Sequence, residues 1–123
     1  MQRPYIIYFQ QSLTLGASEE YFYLLMQDID RTRFNIIFVC PESSILDSLV
    51  RKIEALGIKV QRYSLNTSNY LVILRLLWFF RKFKPELVHI NDPCLIGIIA
   101  ARLANAPVLL ITHHTPELNR KYN

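Results

Sequence analysis

Leu87-Val88-His89-Ile90-Asn91-Asp92-Pro93-Cys94-Leu95-Ile96-Gly97-Ile98-Ile99-Ala100-Ala101-Arg102-Leu103-Ala104-Asn105-Ala106-Pro107-Val108-Leu109-Leu110-Ile111 reads as a complete strand–helix–strand unit. Leu87 to Ile90 is a short apolar run of the kind buried on both faces of a parallel sheet. Asp92-Pro93 then predicts a helix start, with Asp as the cap and Pro in the first turn. The helix carries Leu95, Ile98, Ile99 and Leu103 on one side, with Gly97, Ala100, Ala101 and Ala104 nearby. Asn105-Ala106-Pro107 ends it, and Val108 to Ile111 is the next strand.

The same alternation extends toward the N-terminus. Asn69 to Phe83 predicts a strongly apolar helix halted by Pro85, and Ile58 to Tyr63 the strand before it. Ile45, Leu46, Leu49, Val50, Ile53 and Leu56 fall on one face at helical spacing, opposite Asp47, Ser48, Arg51, Lys52 and Glu54. Ser44 is the expected cap of that helix, with Asp47 as a weak capping-box partner, and Gly57 the expected stop. Asn35 to Val39, closed by Cys40-Pro41, is a strand. A helix of about a dozen residues from Ser18 carries Phe22, Leu25, Met26 and Ile29. Tyr5 to Phe9 is the first strand.

Five strands separated by helices predict a Rossmann-like α/β domain, a doubly wound parallel sheet of order 3-2-1-4-5. Ligands then belong at the carboxyl ends of the strands, near the switch between strands 1 and 4. The segments to examine are Gln10–Ser18, Asn91–Asp92 and His113–Glu117.

Composition agrees with one packed domain over residues 1–123. Hydrophobic residues make up 51% and charged residues 20%, which excludes a disordered chain. The net charge of +4 suits a polyanion, a nucleotide phosphate or an anionic membrane, or simply a solvated basic surface. No nucleic-acid partner is expected. Cys40 and Cys94 form neither a disulfide framework nor a zinc spacing. Both sit in apolar context, as buried thiols of a reducing compartment do. The N-terminal apolar run is too short for a signal peptide, so a cytoplasmic location is expected.

Several residues admit a bland reading beside a chemical one. Gly16 lies between strand and helix, where a backbone can approach a phosphate at a helix N-terminus, or it simply makes the turn. Glu19 complements the helix dipole in the first turn. His89 falls inside a strand and reads as a core histidine, Asp92 as a cap. His89, Asp92, Cys94, His113 and His114 match no zinc pattern, so no metal is expected. The helix of residues 69–84 is too short and charged to span a bilayer. It either lies at a membrane interface with Arg75, Arg81, Lys82 and Lys84 toward anionic lipid, or is buried between the sheet and a neighbour.

Three segments together resemble family 4 glycosyltransferases of the GT-B fold. Ser12-Leu13-Thr14-Leu15-Gly16-Ala17-Ser18-Glu19 resembles that family's Gly-Gly-Ala-Glu loop. Leu87-Val88-His89 with Ala100-Ala101-Arg102-Leu103-Ala104-Asn105-Ala106-Pro107-Val108 resembles its "(I/V)VH … ARLAGVPV" segment. Thr112-His113-His114-Thr115 is similar to its Thr-x-His turn.

The resemblance implies retaining transfer from a nucleotide sugar to a sugar, lipid-linked or other acceptor, with no metal or other cofactor. It makes this chain the N-terminal, acceptor-binding half, with the donor-binding C-terminal domain absent and supplied in cis or in trans. His114 is implied as the catalytic histidine near the transferred sugar. Gly16 and Ala17 are implied at the donor phosphates, and Ser18, Glu19, Asn91 and Thr115 at the acceptor side. Ala17 departs from the pattern, because its methyl group stands where a second glycine is usual and restricts close approach. Asn91 stands where the family often has histidine. A separately encoded accessory subunit, docked on a donor domain or a membrane, is the alternative expectation. A receiver-like signalling domain is set aside, because Gln10 and Gln11 replace its acidic cluster and Ser64–Ser68 lacks its phosphorylatable Asp.

Overall fold

The computed structural model describes residues 3–11, 13, 17–66, 68–91 and 94–112. Strands β1 (Tyr5–Gln10), β2 (Asn35–Pro41), β3 (Lys59–Tyr63), β4 (Leu87–Asn91) and β5 (Val108–Thr112) alternate with helices. The helices are α1 (Ala17–Asp28), α2 (Asp47–Ala55), α3 (Asn69–Phe83) and α4 (Leu95–Leu103), with a 3-10 turn at Ser44–Leu46 before α2. The sheet is parallel throughout in the order β3-β2-β1-β4-β5, as the alternation predicts.

The continuous apolar runs of β1, β2 and β4 are explained by burial on both faces. Ile6, Tyr8, Ile36 and Phe38 meet Phe22 and Met26 of α1 and Leu49, Val50 and Ile53 of α2. On the opposite face Ile7, Phe9, Ile37, Val88 and Ile90 meet α3 and α4 through Val72, Leu76, Phe80, Ala100 and Ala101. Each large side chain taken fully from water contributes about 1.5–3 kcal/mol, so the two faces together outweigh any local propensity.

Local signals were overridden at two helix starts. Ser43, not Ser44, caps, and it caps the 3-10 turn by accepting from the Ile45 amide. Helix α2 itself starts at Asp47 without a side-chain cap. The Asp47 carboxylate instead accepts from Arg62 of β3 at 2.8 Å, a partly exposed long-range pair that no local motif encodes. Helix α4 starts at Leu95 rather than at Pro93, and Cys94 Sγ takes the capping position by accepting from the Gly97 amide at 3.5 Å. The expected Asp92 cap lies outside the described residues. Gly57 ends α2 with φ +85°, the left-handed stop expected of it.

Helix α4 turns its small residues inward. Gly97, Ala100 and Ala101 are buried, while Leu95 and Leu103 face solvent. A Cβ at Gly97 would stand 3.0 Å from two ring carbons of Phe9 and 3.3 Å from Ile90 Cδ1. Phe9 has no room to retreat, because its other neighbour is the parallel ring of Tyr63, 5.8 Å away between centroids.

Gly97→Ala is therefore expected to destabilise the chain by about 1 kcal/mol net. Overpacking costs roughly 1–3 kcal/mol, and removal of a helical glycine returns up to about 1 kcal/mol. Urea unfolding measures this; a variant as stable as the wild type would contradict the close approach.

Candidate functional site

Strands β1 and β4 are neighbours in the sheet although their crossovers leave in opposite directions, the arrangement that favours ligand binding beyond the carboxyl ends. Gln10 and Asn91, the last residues of the two strands, are register partners at this edge. Both are buried, at 0% and 1% exposure, and Glu19 in the first turn of α1 joins them at 2%. Three polar side chains at the mouth of an otherwise apolar sheet are unusual, since burying polar atoms is costly. The N-terminal end of α1 offsets part of that cost for the Glu19 carboxylate.

Two residues further in, His89 pairs in register with Tyr8 on one side and Leu110 on the other. Its ring lies 5.3 Å from the Tyr8 ring and meets Phe22 edge-on at 5.0 Å. Nε2 stands 2.5 Å from Thr112 Oγ1, hydrogen-bonding distance for either tautomer. Burial lowers the pKa of His89 and raises that of Tyr8 to about 12, so both are neutral near pH 7. His89 is thus a core histidine, as its place in the strand implies. It also ties the last residue of β5 to the centre of the sheet, directly before the His113–Glu117 segment.

Of the expected site residues, Glu19 and Asn91 come together at this edge. Ala17 and Ser18 open α1. Gly16, His114 and Thr115 lie outside the described residues, as does His113. Gln10 opens a segment that the sequence places at the ligand edge, though not as a site residue by itself, and the sequence did not show the His89–Thr112 contact. Gln10 was visible as a polar residue closing the apolar run Tyr5–Phe9, whereas the His89–Thr112 contact depends on sheet register. Cys40 and Cys94 are both buried free thiols, and burial pushes Cys40 up to about 12. Among the described residues no three or more His, Cys, Asp or Glu side chains gather as a metal site.

The family model described as glycosyl transferase 4-like matches residues 13–120. The chain belongs to this family. No curated protein sequence matches it. Among solved structures it is similar to a glycosyltransferase from Rickettsia africae, with a TM-score of 0.63 at 16% identity, over 99% of this chain and 34% of that one. A mutant O-GlcNAc transferase from Thermobaculum terrenum gives a TM-score of 0.59 at 14% identity, over 89% and 20%. UDP-GlcNAc 2-epimerase from Neisseria meningitidis, bound to UDP-GlcNAc, gives 0.55 at 17% identity, over 85% and 31%. At such identities these likenesses establish the Rossmann-like fold shared with GT-B enzymes. The chain spans about a third or less of the length of each. For this glycosyl transferase 4-like domain, the strand order puts the switch point between β1 and β4.

The lowered pKa of His89 has a consequence for stability. The unfolded chain takes up a proton near the usual histidine value while the folded chain does not. Stability is therefore full above the unfolded pKa and falls as pH drops through it toward the folded pKa. The loss is at most about 1.4 kcal/mol per pH unit. Urea unfolding at pH 7.5 and at mildly acidic pH is expected to show a smaller pH-dependent loss in His89→Gln than in the wild type. Equal losses would show that His89 is not the group responsible.

Proposed function

We propose that this chain is the acceptor-side domain of a retaining, nucleotide-sugar-dependent glycosyltransferase, with a donor-binding domain supplied in cis or in trans. The observation that carries the reading is the family match over residues 13–120, on a sheet whose switch point gathers Gln10, Glu19 and Asn91. In this reading Glu19 and Asn91 hydrogen-bond acceptor hydroxyls, Gly16 and Ala17 approach the donor phosphates, and His114 lies beside the transferred sugar. Thr115 and Ser18 complete the acceptor side. The neutral His89 holds Thr112, and through it the start of the segment that bears His114. The two similar structures whose names specify a GlcNAc activity make UDP-GlcNAc the first donor to try.

A second reading, an accessory subunit that docks on a separate donor domain, is favoured by Leu95. This leucine is 71% exposed at the first residue of α4, on the carboxyl side of the sheet.

Transfer from labelled nucleotide sugars to a membrane-lipid and oligosaccharide mixture separates the outcomes. The chain alone is expected to give no transfer, and the chain joined to a donor-binding domain is expected to give it. In that joined form Asn91→Ala and His114→Ala are each expected to lower kcat by about 100-fold, the scale of lost positioning. Turnover by the chain alone would overturn the two-part reading. Full activity in both variants would overturn the site.

A further inference from the structure

Helix α3 packs against the sheet on one side only. Val72, Leu76, Phe79 and Phe80 are buried, while Tyr70, Leu71, Leu74 and Trp78 face solvent at 83%, 50%, 58% and 64% exposure. At about 100° per residue, those four and the exposed Arg75, Arg81 and Lys82 share one arc of roughly 140°. The arc is therefore aromatic, aliphatic and basic, and α3 contains no carboxylate. Exposed apolar side chains gathered this way on a soluble face call for a partner.

The charge on this face is clustered, and apart from Arg62, which pairs with Asp47, it is mostly uncompensated. Between α3 and the edge strand β3 runs a groove of about 360 Å³, lined among others by Lys59, Arg62, Arg75, Trp78 and Lys82. Glu42 is its one acidic lining residue, and among the described residues Lys59, Arg75 and Lys82 enter no ion pair. Lys82 Nζ lies 5.1 Å from the centre of the Trp78 ring, and Lys59 Nζ 4.9 Å from that of Phe83. Cations are thus held against aromatic rings at the border of the apolar stripe.

We propose that this face of α3, together with the β3–α3 groove, is a docking surface for an anionic lipid bilayer. Tyr70, Leu71, Leu74 and Trp78 enter the headgroup–acyl boundary, as the apolar side of an interfacial helix does. Trp78 and Tyr70 supply amphipathic rings suited to that depth. Arg75, Arg81 and Lys82 meet lipid phosphates, and the groove with Lys59 receives a headgroup. Charge complementarity selects this occupant: a neutral apolar partner would leave the cations unmatched at the centre of the contact. No helix among the described residues is long and apolar enough to cross a membrane, so the contact is peripheral. The inference does not rest on the proposed activity and survives or fails separately from it.

Trp78 is the sole tryptophan, so its fluorescence reports on the surface in question. The chain is mixed with phosphatidylcholine vesicles, with or without phosphatidylglycerol, and read by flotation and by Trp78 emission. Flotation with the anionic vesicles, a blue shift of Trp78, and release by salt are expected. The double variant Arg75→Gln/Lys82→Gln is expected to bind about 30-fold more weakly, at roughly 1 kcal/mol per basic residue. Leu74→Gln should also weaken binding, without touching the charge. Any of four results would overturn the proposal: no flotation, equal binding to neutral vesicles, an unshifted Trp78, or variants that bind like the wild type. A concentration-dependent blue shift without lipid would also overturn it, by assigning the face to a second copy of the chain.

Discussion

Once β1 lies between β2 and β4, with helices on both faces of the sheet, little else in this chain is free to vary. The first three strands wind one way and cover one face with α1 and α2. The crossover from β3 then passes to the far side of β1, and α3 and α4 cover the other face. Right-handed crossovers leave no alternative route. The reversal between β1 and β4 makes their carboxyl ends the switch point, where Gln10 and Asn91 lie side by side as register partners. The same constraint makes the middle strands apolar on both faces, and it brings α4 close enough to Phe9 that a side chain at position 97 would crowd its ring.

From that geometry the chemistry of the carboxyl edge follows in two layers. The outer layer is Gln10, Glu19 and Asn91, three side chains whose polarity a purely structural crevice does not need. The inner layer is His89 with Tyr8, Phe22 and Thr112, an aromatic and neutral support whose low histidine pKa comes from burial. A charged imidazole would cost much more at that depth. Membership of the glycosyl transferase 4-like family gives the edge its chemical context, and the proposed acceptor-side role draws on that membership together with the buried polar residues.

Strand order and the buried faces of α1 and α2 were legible in the sequence because they follow from repeating patterns, apolar runs of five residues and helical spacing, whereas α4 buries its small residues and exposes Leu95 and Leu103. The caps were less so. Ser43 and Ser44 are chemically identical, and only the 3-10 turn decides between them. Asp47 looks local in sequence, yet its partner Arg62 arrives from β3. Asp92-Pro93 carries a strong start signal, but α4 begins at Leu95 with a cysteine sulfur in the cap. Glu19 and Asn91 were legible as edge residues from the resemblance. Their convergence with Gln10 depends on register across the switch point, which no single segment contains.

Ligand bound at the carboxyl edge of the β1–β4 switch is read by amide hydrogen exchange with and without UDP-GlcNAc and an acceptor mixture, on the chain joined to a donor-binding domain. Slowed exchange is expected from Gln10 through the first turn of α1, and around Asn91. Protection confined to the amino ends of the strands, around Lys84–Glu86 and Asn105–Pro107, would contradict it.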